Sequence, residues 1–188
     1  IAQINFEDVP KLNGFPEKGL LQLYLSPFAL YGEEYKIYYI TSEEFNEHHI
    51  TDFSFLPANV FDETPIFKLH QLSFKRNVER GGGMDVNFDY IFNGLDFHEF
   101  ADTLSERDQE IFYEYFGASG HKIGGYAEFT QDDPREYEPH KFEDVQLLHI
   151  DVDKHISFGD AGVAHIFISR DDLKQGKIED AYFYWDAC

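Results

Sequence analysis

The sequence predicts an α+β domain, predominantly antiparallel or mixed β-sheet, with two similar sheet units and few helices. Three observations carry that reading. Aromatic residues make up 18% of the chain, with 20 Phe and 12 Tyr, and flat rings pack well across the pleated surface of a sheet. Two stretches, one near each end, repeat the same order of apolar and polar residues. Only one long segment combines helical periodicity with residues able to cap both of its ends.

The repeated order comes first because it sets the architecture. Ile1-Ala2-Gln3-Ile4-Asn5 is followed by Gly19-Leu20-Leu21-Gln22-Leu23-Tyr24-Leu25, and Leu147-Leu148-His149-Ile150-Asp151 by Gly162-Val163-Ala164-His165-Ile166-Phe167-Ile168. In each case a strand bearing one Gln or His is joined by a turn-rich connection to a glycine-led strand with a polar residue at its fourth position. Units 1–40 and 147–186 are therefore read as a pseudo-duplication inside a single domain spanning 1–188. The chain opens on Ile1 within a strand, so an N-terminal part truncated or disordered is expected. A Gln or His in an otherwise apolar strand needs a partner wherever it is buried.

The remaining elements follow in order. Tyr35 to Ile40 alternates as a strand after a turn at Gly32. Thr41 and Glu44 have capping-box spacing, which predicts a short helical turn toward His48 and His49. Pro57, Asn59 and Pro65 punctuate the next stretch, and a strand is expected over 66–74. Arg80-Gly81-Gly82-Gly83 reads as a flexible connection. A helix is expected over 104–116, capped by Ser105 with Asp108 or Thr103 with Glu106. Ile111, Phe112, Tyr115 and Phe116 would pack it on a sheet, and Gly117 would stop it in the left-handed conformation. Ser169 with Asp172 caps a short helix ending near Gly176, and 181–186 closes the domain as a strand.

Charge and composition narrow the function classes. The formal charge is -21, from 15 Lys and Arg against 36 Asp and Glu. Such a field repels a nucleic acid backbone and steers cationic partners, so a basic protein partner is expected, with no nucleic acid. No apolar stretch is long enough for a membrane span and no secretory signal stands in these residues, so no membrane association is expected. The single cysteine, Cys188, cannot build a disulfide framework or a thiolate zinc site, which suits a reducing compartment and a cytoplasmic location. Neither a GxxxxGK loop nor a GxGxxG turn occurs, so no cofactor is expected. Ser157 and Ser169 lie in no GxSxG elbow. With no HExxH motif, His48-His49, His121, His149 and His165 give no zinc spacing. Asn5, Asp151, Asp153 and Asp160 could offer oxygen ligands, but Asx turns explain them, so no metal is expected.

The most unusual chemistry lies in 120–135. Gly124 and Gly125 allow backbone conformations closed to other residues. Asp133-Pro134 reads as a turn, and Arg135 offers a rigid fork of donors. His121, Gln131, Asp133 and Arg135 either knit this loop to the two repeated units or line a pocket for a polar or anionic ligand. The candidate pocket comprises His121, Gln131, Asp133, Arg135, His149, Asp151 and Asp160, with Gly124, Gly125 and Pro134 shaping the loop.

The segment Gly120-His121-Lys122-Ile123-Gly124-Gly125-Tyr126-Ala127-Glu128-Phe129-Thr130-Gln131-Asp132-Asp133-Pro134-Arg135 resembles the signature of the bacterial YwqG-like family, a domain of unknown function. The resemblance extends through 147–153, Phe158-Gly159-Asp160-Ala161-Gly162 and the ending Trp185-Asp186-Ala187-Cys188. Ala127, His149 and Phe158 stand where the family usually has proline, glutamine and tryptophan, and Ala187 interrupts its terminal motif. The resemblance implies no established reaction. Some relatives lie beside toxin and secretion systems, which implies an immunity-like or accessory role by association. Three readings stay open: an acidic protein-interaction module binding a basic partner, a small polar-ligand module or enzyme around His121 and Arg135, and a purely structural accessory domain.

Overall fold

The computed structural model describes residues 1–26, 34–41, 52, 54 and 64–188. Two antiparallel sheets form its frame. The first contains β1 (Ala2–Asn5), β2 (Leu20–Leu25) and β3 (Tyr35–Ile40) in that order. The second contains β4 (Lys122–Ile123), β5 (Val145–Ile150), β6 (Val163–Ile168) and β7 (Tyr182–Asp186), also in chain order. Three α-helices are described: α1 (Phe97–Asp102), α2 (Glu106–Phe116) and α3 (Arg170–Gln175). This is the α+β fold with two sheet units expected from the sequence.

One apolar cluster takes side chains from both sheets. Ile4, Leu21, Leu23 and Ile37 of the first join Leu148, Ile150, Ala164, Ile166 and Ile168 of the second. Alternation along β2 and β6 explains the choice, since every second side chain points to the same face. The opposite faces differ in what they meet. On the first sheet Gln3 pairs in register with Gln22, and the Gln22 amide donates to Gln3 Oε1 at 2.6 Å near solvent. On the second sheet His149 pairs in register with His165, and both are fully buried. The echoed polar positions are thus cross-strand partners in both sheets. Residues 120–135 cover the second pair, and Ala127 and Phe129 pack with Phe167 in a smaller buried cluster.

The helices form where their caps allow. Ser105 Oγ accepts the Asp108 amide at the start of α2, as expected. Gly117 ends α2 at φ -64°, in extended rather than left-handed backbone, so that expectation is corrected. α1 was not anticipated, although Asp96 and Glu99 form a complete capping box before it. The inward stripe of α2 is narrower than expected. Phe112 and Phe116 meet Phe88, Phe92 and Phe97, whereas Ile111 and Tyr115 are exposed. α2 therefore docks through an aromatic cluster drawn from residues 88–116. α3 is capped by Ser169 and ends at Gly176 with φ +73°, as its sequence indicated.

Two further expectations change. Residues 66–74 form no strand beyond an isolated bridge between Ile66 and Ile156. Phe67, Leu69 and Leu72 stay half-exposed, so imperfect alternation found no neighbouring strand to bury it. Gly81, Gly82 and Gly83 are not a flexible spacer but a close contact. A Cβ on them would lie 2.4 Å from Phe88, 2.3 Å from Tyr126 and 2.2 Å from Phe97. Gly82→Ala is expected to destabilise the domain by about 1–3 kcal/mol through overpacking, read as a lower urea midpoint. The expected turn from Thr41 toward His48 and His49, and the punctuation at Pro57 and Asn59, lie outside the described residues.

Candidate functional site

Three carboxylates, those of Asp85, Asp133 and Asp186, and one guanidinium organise the segment that covers the second sheet. Asp133 N-caps a 3-10 turn, Pro134–Tyr137, and its Oδ1 accepts the Arg135 amide at 3.0 Å. Proline at the first turn position fits because no amide is needed there. Arg135 folds back on Asp133, with Nε at 2.9 Å from Oδ1 and Nη2 at 2.5 Å from Oδ2. Nη2 also lies 2.9 Å from Asp85, and Nη1 donates to the Asp144 carbonyl at 2.6 Å. The guanidinium sits 4.5 Å above the Phe167 ring. Arg135 is 1% exposed and Asp133 2%. Burial pulls the Arg135 pKa down, but hydrogen bonding and charge from Asp133 and Asp85 outweigh it and raise the pKa.

The carboxylates in turn hold backbone. Asp133 accepts the Val86 amide at 2.9 Å, and Asp85 accepts the amides of Asn87 and Ala127 at 2.8 and 2.6 Å. Asp186, on β7, accepts Thr130 N, Thr130 Oγ1 and Gln131 N at 2.7 Å each through one oxygen. The Gln131 side chain donates to the Ala187 carbonyl. Asp186→Ala should cost at least about 2 kcal/mol. It should also speed amide hydrogen exchange at Thr130 and Gln131, with little change at β1.

A second group lies at the β4 end of the sheet. Lys122 bonds Glu79 at 2.5 Å and the Ala118 carbonyl. Glu79 also accepts the Tyr126 amide at 2.8 Å, which brings its carboxylate where a Cβ on Gly125 would stand, 2.3 Å away. Gly124 and Gly125 have φ of +69° and +78°, the left-handed region in which glycine is unstrained. Glu128 accepts the Ala118 amide at 2.7 Å, and burial raises its pKa despite that bond and Lys122. Asp151 accepts the Gly120 amide. His121 Nδ1 accepts the Asp151 amide at 3.0 Å, which leaves the proton on Nε2, 3.5 Å from Asp153.

Between these groups stands the histidine pair. The rings of His149 and His165 stack at 4.7 Å and 9°, with Phe129 at 4.5 Å from His165. Gln146 fixes the His165 tautomer. Its Nε2 donates to the carbonyls of Gly124 and Tyr126, so Oε1 faces His165 Nδ1 at 3.0 Å and must accept its proton. His165 Nε2 and both nitrogens of His149 are buried without a protein partner. Burial, then the cation of Lys122, pushes His149 down to about 3; Asp151 opposes this and His121 adds to it. Burial, then His149, Arg135 and Lys122, holds His165 well below the usual imidazole range.

The sequence-derived residues thus fall into three places. Asp133 and Arg135 form a closed buried clasp, Gln131 is held to β7 through Asp186, and His121, His149 and Asp151 gather around the β4 end. Asp160 is exposed in the turn before β6. Asn5 Oδ1 accepts the Glu7 amide and Asp153 Oδ1 the His155 amide, which are Asx-turn roles. Among the described residues no group of three or more His, Cys, Asp or Glu side chains is arranged to hold a metal ion. Asp85, Glu79 and Asp186 were not singled out from sequence, because their partners in this segment lie 42 to 56 residues away, and Gln146 was not, because its partners lie on other elements 19 to 22 residues away.

A family model described as a domain of unknown function, DUF1963, matches residues 1–188. The chain belongs to the DUF1963 family. That is the YwqG-like family its motifs resemble. No curated protein matches the chain. In this DUF1963 domain the segment carrying those motifs is the cover of the second sheet, and its Asp, Pro and Arg residues build the clasp. No helix among the described residues is long and apolar enough to cross a membrane.

Proposed function

We propose that this DUF1963 domain is an acidic protein-interaction module that recognises a basic partner, in the manner of an immunity-like binder or accessory protein. The observation that carries the reading is the charge of -21 combined with where polar side chains go. The one arginine suited to anchor an anionic ligand is closed off by Asp133 and Asp85, whereas most acidic residues among the described ones are exposed. An outward acidic field accelerates encounter with cationic surfaces and disfavours anionic ones. Affinity capture from cells that naturally make the protein is the test. At about physiological ionic strength a basic protein should be retained in near-stoichiometric amount, and it should be lost at about 0.5 M salt. Retention of neutral or acidic proteins alone would overturn the proposal.

A second reading, a small polar-ligand module, is favoured by one observation. Three imidazole nitrogens of His149 and His165 are buried without a protein partner, and buried polar groups ordinarily find one. A fragment screen followed by amide shifts would decide it. Shifts at 146–149 and 165 support the reading, and their absence across polar fragments removes it.

A further inference from the structure

We propose that Asn13 is a site of spontaneous covalent modification, deamidating through a cyclic imide with Gly14, and that the fold restrains the same chemistry at Asn93-Gly94. This chemistry is independent of any partner. Two Asn-Gly steps occur in the chain, and both are exposed. Glycine matters because it has no Cβ to crowd its own amide nitrogen, which is the attacking atom. The other described asparagines, Asn5, Asn77 and Asn87, precede the bulkier Phe6, Val78 and Phe88. At Asn13 the nitrogen of Gly14, once deprotonated by solvent base, attacks the side-chain carbonyl carbon. The new C–N bond forms, the Cγ–Nδ2 bond breaks, and Nδ2 leaves as ammonia after taking a proton from water. Water then opens the five-membered imide at one of its two carbonyls, giving aspartate or isoaspartate. The sum is amide plus water to acid plus ammonia, with nothing oxidised or reduced.

The two turns differ in how firmly they oppose that attack. Both glycines are open, since a Cβ on either would meet nothing within 4 Å. The turn from Leu12 to Phe15 is closed by one bond, from the Phe15 amide to the Leu12 carbonyl at 3.2 Å. Gly14 has φ +83° and Asn13 lies outside the left-handed region, the signs of a type II turn. Asn93 and Gly94 instead form a two-residue hairpin with φ of +53° and +86°, the type I′ form. Phe92 and Leu95 exchange two bonds across it, at 2.8 and 3.0 Å, and the Phe92 ring packs on Phe97, Phe100, Phe112 and Phe116. Swinging the Asn93 side chain over the Gly94 nitrogen therefore means opening a hairpin, whereas Asn13 has one long bond to break. A product at Asn13 reaches the cover of the second sheet. Leu12 and Phe15 pack on Gly124, where a Cβ would stand 3.7 and 3.1 Å from them. Isoaspartate carries the chain through one extra methylene and shifts Leu12 relative to Phe15.

The test is tryptic peptide mapping of the full chain held in warm, mildly alkaline buffer. The peptide 12–18, between Lys11 and Gly19, should gain the mass of an amide-to-acid change and elute as separate aspartate and isoaspartate forms. The peptide holding Asn93 should convert at least about threefold more slowly, since one more hydrogen bond must open. In urea sufficient to unfold the chain, both sites should convert at similar rates. The Gly124 amide donates to the Leu147 carbonyl at 3.3 Å. Its exchange should quicken in the aged protein and stay unchanged in aged Asn13→Gln. An unmodified Asn13, equal or faster conversion of Asn93 in the folded chain, or a rate difference that persists in urea would overturn the proposal. Unaltered exchange at Gly124 in the aged protein would overturn its reach into the cover.

Discussion

Arg135→Met is expected to destabilise the domain by about 3–5 kcal/mol, because it leaves Asp85 and Asp133 as uncompensated buried charges. Methionine fills much of the same volume over Phe167, so the loss reports charge pairing rather than a cavity. That cost is a large fraction of the stability of an ordinary domain, and urea unfolding should show a collapse of the midpoint or no cooperative transition at all. Arg135→Lys keeps one positive charge but cannot reach Asp133, Asp85 and the Asp144 carbonyl together, so its midpoint should fall between wild type and Met. Adding Asp85→Asn and Asp133→Asn to the Met variant should recover part of the loss, since the unpaired charges are then gone. A midpoint for Arg135→Met within error of wild type would show that the clasp does not hold the fold.

Acidification is expected to weaken the fold well before ordinary carboxylates titrate. His149 and His165 are both held down in the folded state, so the unfolded chain binds protons that the folded chain refuses. Their contribution is fully present above the unfolded imidazole value of 6.5 and is lost as pH falls from there toward about 3 for His149. Within that window each histidine lowers stability by about 1 kcal/mol per pH unit. Glu128 works in the opposite direction, because its pKa is raised on folding, and its contribution is lost as pH rises through the folded value. Urea midpoints measured between about pH 7.5 and pH 5 should fall steadily. His149→Gln, which cannot take up a proton, should flatten the slope by about half. An unchanged slope would mean that protonation of His149 is not coupled to folding.

Much of the fold was legible because its signals are local. The alternation in 20–25 and 163–168, the cap at Ser105 and the glycine stop at Gly176 each depend on a few neighbouring residues. The strand expected over 66–74 failed for the complementary reason, since pairing requires an available sheet edge that composition does not report. Gly81-Gly82-Gly83 misled because three glycines suit both a loose linker and a seam, and only Phe88, Tyr126 and Phe97 decide between them. At the candidate site, the turn at Asp133 and Pro134 and the fork of Arg135 were readable from sequence. Asp85, its second carboxylate, sits 50 residues earlier by number (135 against 85) in a stretch with no distinguishing pattern. The stacking of His149 on His165 was foreshadowed only by their equivalent places in the repeated order.

The Gln3–Gln22 and His149–His165 pairs occupy matching places on two hairpins, yet one is wet and the other dry. That difference sets how freely each can be altered. A glutamine of the wet pair can be exchanged singly, because water replaces whichever hydrogen bond is lost. A histidine of the dry pair is constrained by its stacked neighbour, by Gln146 and by Phe129 together, so tolerated changes there should come as coordinated sets. Shielding one hairpin from solvent has made the two halves of the domain unequal in the rate at which they can drift.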